Sequence, residues 1–144
     1  MRTTNPRILC VEANSDTCLL LAVMLGLTSF DVTCVSTAAE GLALARSKPF
    51  DLYLLDGRFT DGTGAELCER IRSFDPLAPV VFFSALAEEH NRREAIAAGA
   101  TEYLIKPNDL EMLVSTVKRL LEESMSLAFV WAGTKVGERP RFRV

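Results

Sequence analysis

The chain has 144 residues, 49% of them hydrophobic, enough for one domain with a continuous core and too few for a second sizeable one. Charged residues make up 24% and the formal net charge is -3, a balance that argues against nucleic-acid binding and against a membrane surface. No apolar run reaches the roughly 20 residues of a membrane helix and no leader-like segment opens the chain, so a cytoplasmic, reducing setting is expected.

The first expected strand, 7–11, is apolar without alternation, as a strand buried on both faces of a parallel sheet would be. Glu12, Ala13, Asn14, Ser15 and Asp16 follow. Asn14 or Ser15 can cap a helix in which Leu19, Leu20, Val23, Met24 and Leu27 recur at helical spacing. Residues 30–36 are rich in β-branched side chains, and Thr37 caps an alanine-rich helix to about residue 47, stopped by Pro49.

The alternation repeats. A strand at 50–55 ends at Asp56, a loop covers 59–64, and a helix covers 65–73. The fourth strand, 80–83, ends at Ser84, and a helix over 87–98 is closed by Gly99, suited to a left-handed cap. A short fifth strand, 103–105, ends at Lys106-Pro107, and Leu110, Leu113, Val114, Val117, Leu120 and Leu121 mark a fifth helix to about residue 123.

Five strands alternating with five helices predict a three-layer α/β fold, a doubly wound parallel sheet covered on both faces. Ligands in such sheets gather at the carboxyl ends of the strands, near the switch in strand order. Glu12, Asp56, Ser84 and Lys106 all stand at such ends and should converge on one edge.

Taken singly, Asp56 reads as a turn residue, Ser84 as a helix cap and Lys106 as a surface cation. Together they suit phosphoryl chemistry. A strand-end carboxylate can attack phosphorus, an ammonium can neutralise phosphoryl oxygens, and a hydroxyl can donate to one of them.

Residues 8–12, 51–56, 80–85 and 98–107 resemble, in order and spacing, the four motif blocks of response-regulator receiver domains of two-component signalling. The resemblance spans about residues 6–123 and implies a flavodoxin-like sheet in the order 2-1-3-4-5. It implies a signalling switch rather than an enzyme, with Asp56 as phosphoacceptor, Ser84 as switch hydroxyl, Lys106 as phosphate-binding lysine and Tyr103 as switch aromatic. Ala85 matches the small residue that leaves room for the phosphoryl group, Gly64 the glycine closing the acceptor loop, and Pro107 a cis-proline.

One departure stands out. The family places two acidic residues after the first strand, whereas here Glu12 is followed by Ala13, which cannot ligate a metal. Mg²⁺ would then be left with Asp56, the Arg58 backbone carbonyl and an outer-shell Glu12, and is expected to bind weakly or not at all. The Arg58 guanidinium is a candidate substitute charge, weighed against an ordinary solvent-facing arginine. Phe59-Thr60 replaces the usual Met-Pro or Leu-Pro pair.

Two functions follow. In the first, a histidine kinase or phosphotransfer protein donates to Asp56, and the face of the fourth helix, fifth strand and fifth helix signals to a downstream protein target. In the second, a pseudo-receiver with a decayed metal site serves as a phosphorylation-independent interaction module. Hydrolase readings fail: a haloacid-dehalogenase-type site needs an aspartate where Arg58 stands, and Asp61-Gly62-Thr63-Gly64 reads as a turn.

His90 reads as a surface residue. Cys10, Cys18, Cys34 and Cys68 lack C-x-x-C or metal-ligand spacing and read as small buried hydrophobes. The receiver is expected over residues 1–123, with 124–144 a C-terminal extension or the start of a linker, basic through Lys135, Arg139, Arg141 and Arg143. A homodimer through this tail or through the signalling face is a further expectation.

Overall fold

The computed structural model describes residues 4–132, with side chains through Ser126. Strands β1 (Arg7–Val11), β2 (Asp31–Val35) and β3 (Leu52–Leu55) alternate with helices α1 (Ser15–Gly26) and α2 (Ala38–Ser47). A hairpin of β4 (Arg58–Phe59) and β5 (Gly62–Thr63) leads into α3 (Gly64–Arg72). Then come β6 (Val80–Ser84), α4 (Glu89–Ala97), β7 (Glu102–Ile105) and α5 (Leu110–Ala132).

The main sheet is parallel, in the order β2-β1-β3-β6-β7. With the hairpin set aside, this is the expected 2-1-3-4-5 order.

The sheet is buried on both faces. Ile8 and Cys10 pack with Leu21 and Leu25 of α1 and with Leu113, Val117 and Leu120 of α5. Leu9 and Val11 face the other way, onto a core that includes Ala45 of α2, Leu67 and Ile71 of α3, and Ala95 of α4. Each large apolar side chain so buried stabilises the fold by roughly 1.5–3 kcal/mol, which is why β1 carries no polar position beyond its first residue, Arg7.

The stripe that spacing selects on α1 is the wrong one. Leu21 and Leu25 face the core at 1% and 0% exposure, whereas Leu19, Val23 and Leu27 stand at 66%, 52% and 82%. The helix is apolar on nearly every side, so periodicity cannot choose its inward face. The connection from β1 does, with Asn14 capping at Thr17 N.

The segment expected as a loop at 59–64 is the β4–β5 hairpin. Its tip has a structural task. Asp61 accepts hydrogen bonds at 2.9 Å from Ala38 N and Ala39 N, satisfying the opening amides of α2. These bonds hold its carboxyl below the usual aspartate range.

Gly99 follows α4 with φ +110°, a conformation that suits glycine. Its carbonyl accepts from Arg72 Nε and Nη2 at 3.0 and 2.8 Å, while Arg72 Nη1 donates to the Asp75 and Ala78 carbonyls at 3.1 and 2.6 Å. This one guanidinium joins the connections entering β6 and β7.

Helix α5 runs to Ala132, past the expected end near residue 123. Lys135, Arg139, Arg141 and Arg143 lie outside the described residues. Among the described residues no helix is long and apolar enough to cross a membrane.

The reading of all four cysteines as buried hydrophobes needs correction. Cys10 and Cys68 are buried, and burial pushes their thiols up to about 12 and about 11. Cys18 and Cys34 instead form a disulfide. Sequence spacing hides the pair because it depends on how α1 crosses β2.

Candidate functional site

The site residues stand where strand ladders end. Glu12 N donates to Val35 O, Asp56 N to Val11 O and Lys106 N to Ser84 O, each at 2.9 Å. Each residue one step past its strand is therefore still held by the neighbouring strand. An open depression results, lined by Glu12, Asn14, Asp56, Ser84 and Lys106, with Ala13, Arg58, Ala85 and Leu86 completing its rim.

At its floor Lys106 Nζ bonds both Glu12 oxygens, at 2.8 and 2.9 Å, and lies 3.5 Å from Asp56 Oδ1. The Glu12 side chain is only 2% exposed, against 13% for Asp56. The deeper carboxylate loses more hydration and therefore claims the ammonium. Burial raises the Glu12 pKa, opposed by the hydrogen bond from Lys106 and reinforced by the charge of Asp56.

Asp56 Oδ1 accepts from Gly57 N at 2.8 Å and Oδ2 from Ala13 N at 3.3 Å. Ala13 thus contributes an amide to Asp56 and only a methyl to the cavity. At the floor two carboxylates share one ammonium, with the second cation of the lining, Arg58, exposed on the rim. The oxygen donors fit a hydrated hard cation with few direct protein ligands.

Ser84 is 1% exposed and its Oγ accepts from Leu86 N at 3.1 Å, leaving its own hydrogen to donate. Leu86 O in turn accepts from the Tyr103 hydroxyl at 2.6 Å. The Tyr103 ring stacks on Phe82, with centroids 5.7 Å apart. Leu86 is held from both sides, by Ser84 through its amide and by Tyr103 through its carbonyl. The Lys106–Pro107 peptide is cis.

The structure brings Glu12, Asp56, Ser84, Ala85 and Lys106 together, with Arg58 exposed on the rim and Tyr103 linked through Leu86. Sequence reasoning missed Gly57, Asn14 and Leu86. A Cβ on Gly57 would overlap Ser84 Oγ, so this glycine leaves the hydroxyl its place in the depression. A glycine directly after a strand-end aspartate was the available signal. Asn14 N donates to Glu12 Oε1 at 3.3 Å, a backbone contact that leaves no trace in residue type.

Gly64 closes the loop by donating from its amide to Gly57 O at 2.9 Å. A Cβ there would overlap the Asp56 carbonyl oxygen and press within 2.7 Å of the Phe82 ring. Gly64→Ala should cost about 1–3 kcal/mol, read as a lower urea midpoint with an unchanged slope; a midpoint equal to the parent's would remove the crowding argument.

Residues 8–118 match the family model of the response regulator receiver domain. The chain belongs to that family, a signalling module of two-component systems. It is 32% identical over 114 residues to the transcriptional regulatory protein ZraR of Salmonella typhimurium, covering 79% of this chain and 26% of that one. It is 30% identical to the response regulator ArlR of Staphylococcus epidermidis, covering 79% and 52%. The chain thus spans between about a quarter and half of these relatives.

Among solved structures, the CheY-like receiver domain protein of Methanospirillum hungatei JF-1 superposes with a TM-score of 0.82 at 28% identity, covering 85% of this chain and 98% of that one. The receiver domain of the sensor histidine kinase PA1611 of Pseudomonas aeruginosa PAO1 superposes at 0.76 with 25% identity, covering 83% and 99%. In that protein a magnesium ion is coordinated in the active site cleft.

Proposed function

We propose that the chain is a phosphoaccepting receiver, taking a phosphoryl group on Asp56 from a histidine kinase or phosphotransfer protein. The observation that carries the reading is the gathering of Asp56, Lys106 and Ser84 in one depression, with Lys106 Nζ 3.5 Å from Asp56 Oδ1. An Asp56 carboxylate oxygen attacks phosphorus, the bond from phosphorus to the donor breaks with its electron pair leaving on the donor, and an acyl phosphate forms. Gly57 N and Ala13 N orient the carboxylate.

Lys106 shifts from Glu12 toward the phosphoryl oxygens, and Ser84 donates its hydroxyl hydrogen to one of them. Ala85, small and exposed, leaves that oxygen room. Mg²⁺, when bound, supplies further neutralisation; Asp56, the Arg58 carbonyl and Glu12 through water are the residues to hold it, weakly because Ala13 brings no carboxylate.

Movement of Ser84 pulls on Leu86, and Leu86 on Tyr103 of β7. The output is accordingly the α4–β7–α5 face, which meets a downstream protein or a second copy of the chain. A switch of this kind needs a partner with different affinity for its two states.

A second reading has an observation of its own. The double hydrogen bond from Lys106 to Glu12, beside Ala13, favours a phosphorylation-independent interaction module. Acetyl phosphate with Mg²⁺, followed by intact mass, separates the two. We expect a species heavier by about 80 Da, one phosphoryl group, absent from Asp56→Asn. No such species with acetyl phosphate or with a donor kinase would leave the second reading standing.

A further inference from the structure

The disulfide joins Cys18, in the first turn of α1, to Cys34, one residue before the end of β2, with Cα atoms 6.3 Å apart. Both residues are partly exposed, whereas Cys10 and Cys68 are at 1% and 0% exposure and out of reach of a solution oxidant. The bond ties the helix that follows one side of the depression, where Glu12, Ala13 and Asn14 line it, to the neighbouring strand β2. Cys18 N donates to Asn14 O, and Val35, next to Cys34, accepts from Glu12 N, both at 2.9 Å. Between Glu12 and Cys18 lies Ala13, whose amide faces Asp56.

We propose that Cys18 and Cys34 are a reversible thiol–disulfide modification site that fastens the β1–α1 rim to β2. It stands whether or not Asp56 accepts a phosphoryl group. The oxidant is a small-molecule disulfide such as oxidised glutathione. The Cys18 thiolate attacks it, one glutathione thiol leaves, and a mixed disulfide remains.

The Cys34 thiolate then attacks the Cys18 sulfur and expels the second glutathione. Two protein thiols are oxidised, one glutathione disulfide is reduced to two thiols, and the two protein protons end on those thiols. A dithiol reductant reverses the sequence. Closing the loop across a sequence separation of 16 narrows the unfolded ensemble and holds α1 against β2 in the folded one.

The test takes the full chain through dithiothreitol and then oxidised glutathione, with alkylation under denaturing conditions, intact mass and peptide mapping. The reduced chain should take up four alkyl groups, matching its four cysteines, and the oxidised chain two, with Cys18 and Cys34 in one linked peptide. Oxidation should raise the melting temperature by about 5–10 °C, a shift absent from Cys18→Ser and Cys34→Ser.

Hydrogen exchange should quicken by about tenfold or more in the first turns of α1 on reduction. Four alkylatable thiols after oxidation, a linkage other than Cys18 to Cys34, or a bond that dithiothreitol cannot open without denaturation would overturn the site. An unchanged exchange pattern would overturn its hold on the rim. Both readouts are taken on the unmutated chain, so a variant that fails to fold decides nothing by itself.

Discussion

Replacing Lys106 by methionine should lower stability by about 3 kcal/mol near neutral pH, because it leaves Glu12 as a carboxylate 2% exposed with no cation beside it. The loss should depend on pH with a definite sign. Burial already raises the Glu12 pKa, and removing the ammonium removes an opposing influence, so the folded value climbs further above the unfolded one of about 4.3. A carboxyl raised on folding favours the fold at pH below its unfolded value, and that contribution disappears as pH rises through its folded value.

The variant should therefore regain stability relative to the parent as pH falls from about 7.5 to about 5, measured by urea unfolding at each pH. The double variant Glu12→Gln/Lys106→Met should recover most of the loss, with a coupling of about 1 kcal/mol or more. A single variant as stable as the parent at neutral pH, or a deficit indifferent to pH, would mean that the pair contributes nothing at depth.

The second large effect is expected from Ala13→Asp. The exposed position faces Asp56 through its amide, at 3.3 Å from Oδ2, so a carboxylate there adds a direct oxygen ligand at the mouth of the depression. Mg²⁺ affinity should rise by about tenfold or more, read by isothermal titration with and without beryllofluoride. In chelator the same substitution adds a third carboxylate to a pocket with one lysine, and the melting temperature should fall. Saturating Mg²⁺ should reverse that fall, since a ligand that binds only the folded state stabilises it by mass action. Equal affinities in parent and variant would show that Ala13 does not limit cation binding.

Much of the fold could be read from the chain because its signals are local. After Arg7, the strands at Arg7–Val11, Leu52–Leu55 and Val80–Ser84 are apolar runs that end at a polar residue, and the change of polarity is itself the edge of the sheet. The α5 stripe was legible as well, because its opposite side is charged: Leu113 and Val117 are fully buried where spacing puts them. On α1 no such contrast exists, and the same reasoning chose Leu19 and Leu27, which face solvent.

At the site, residue order tells which groups reach one edge but not how charges divide among them. That Lys106 turns to Glu12 rather than wholly to Asp56 follows from relative depth, a property of three dimensions. The Cys18–Cys34 pair and the clamp on Leu86 are also products of crossing elements. Neither has a motif.

The Arg72 guanidinium works at the end of the sheet remote from Asp56, binding three backbone carbonyls from the turns that precede β6 and β7. Those two strands carry Ser84 and Lys106 at their far tips. With their roots clamped by one rigid planar group, they resemble levers pinned at a common axle. Any displacement at the Asp56 end would then be channelled into the tips and the loops beyond them, with the base of the sheet as a fixed frame of reference.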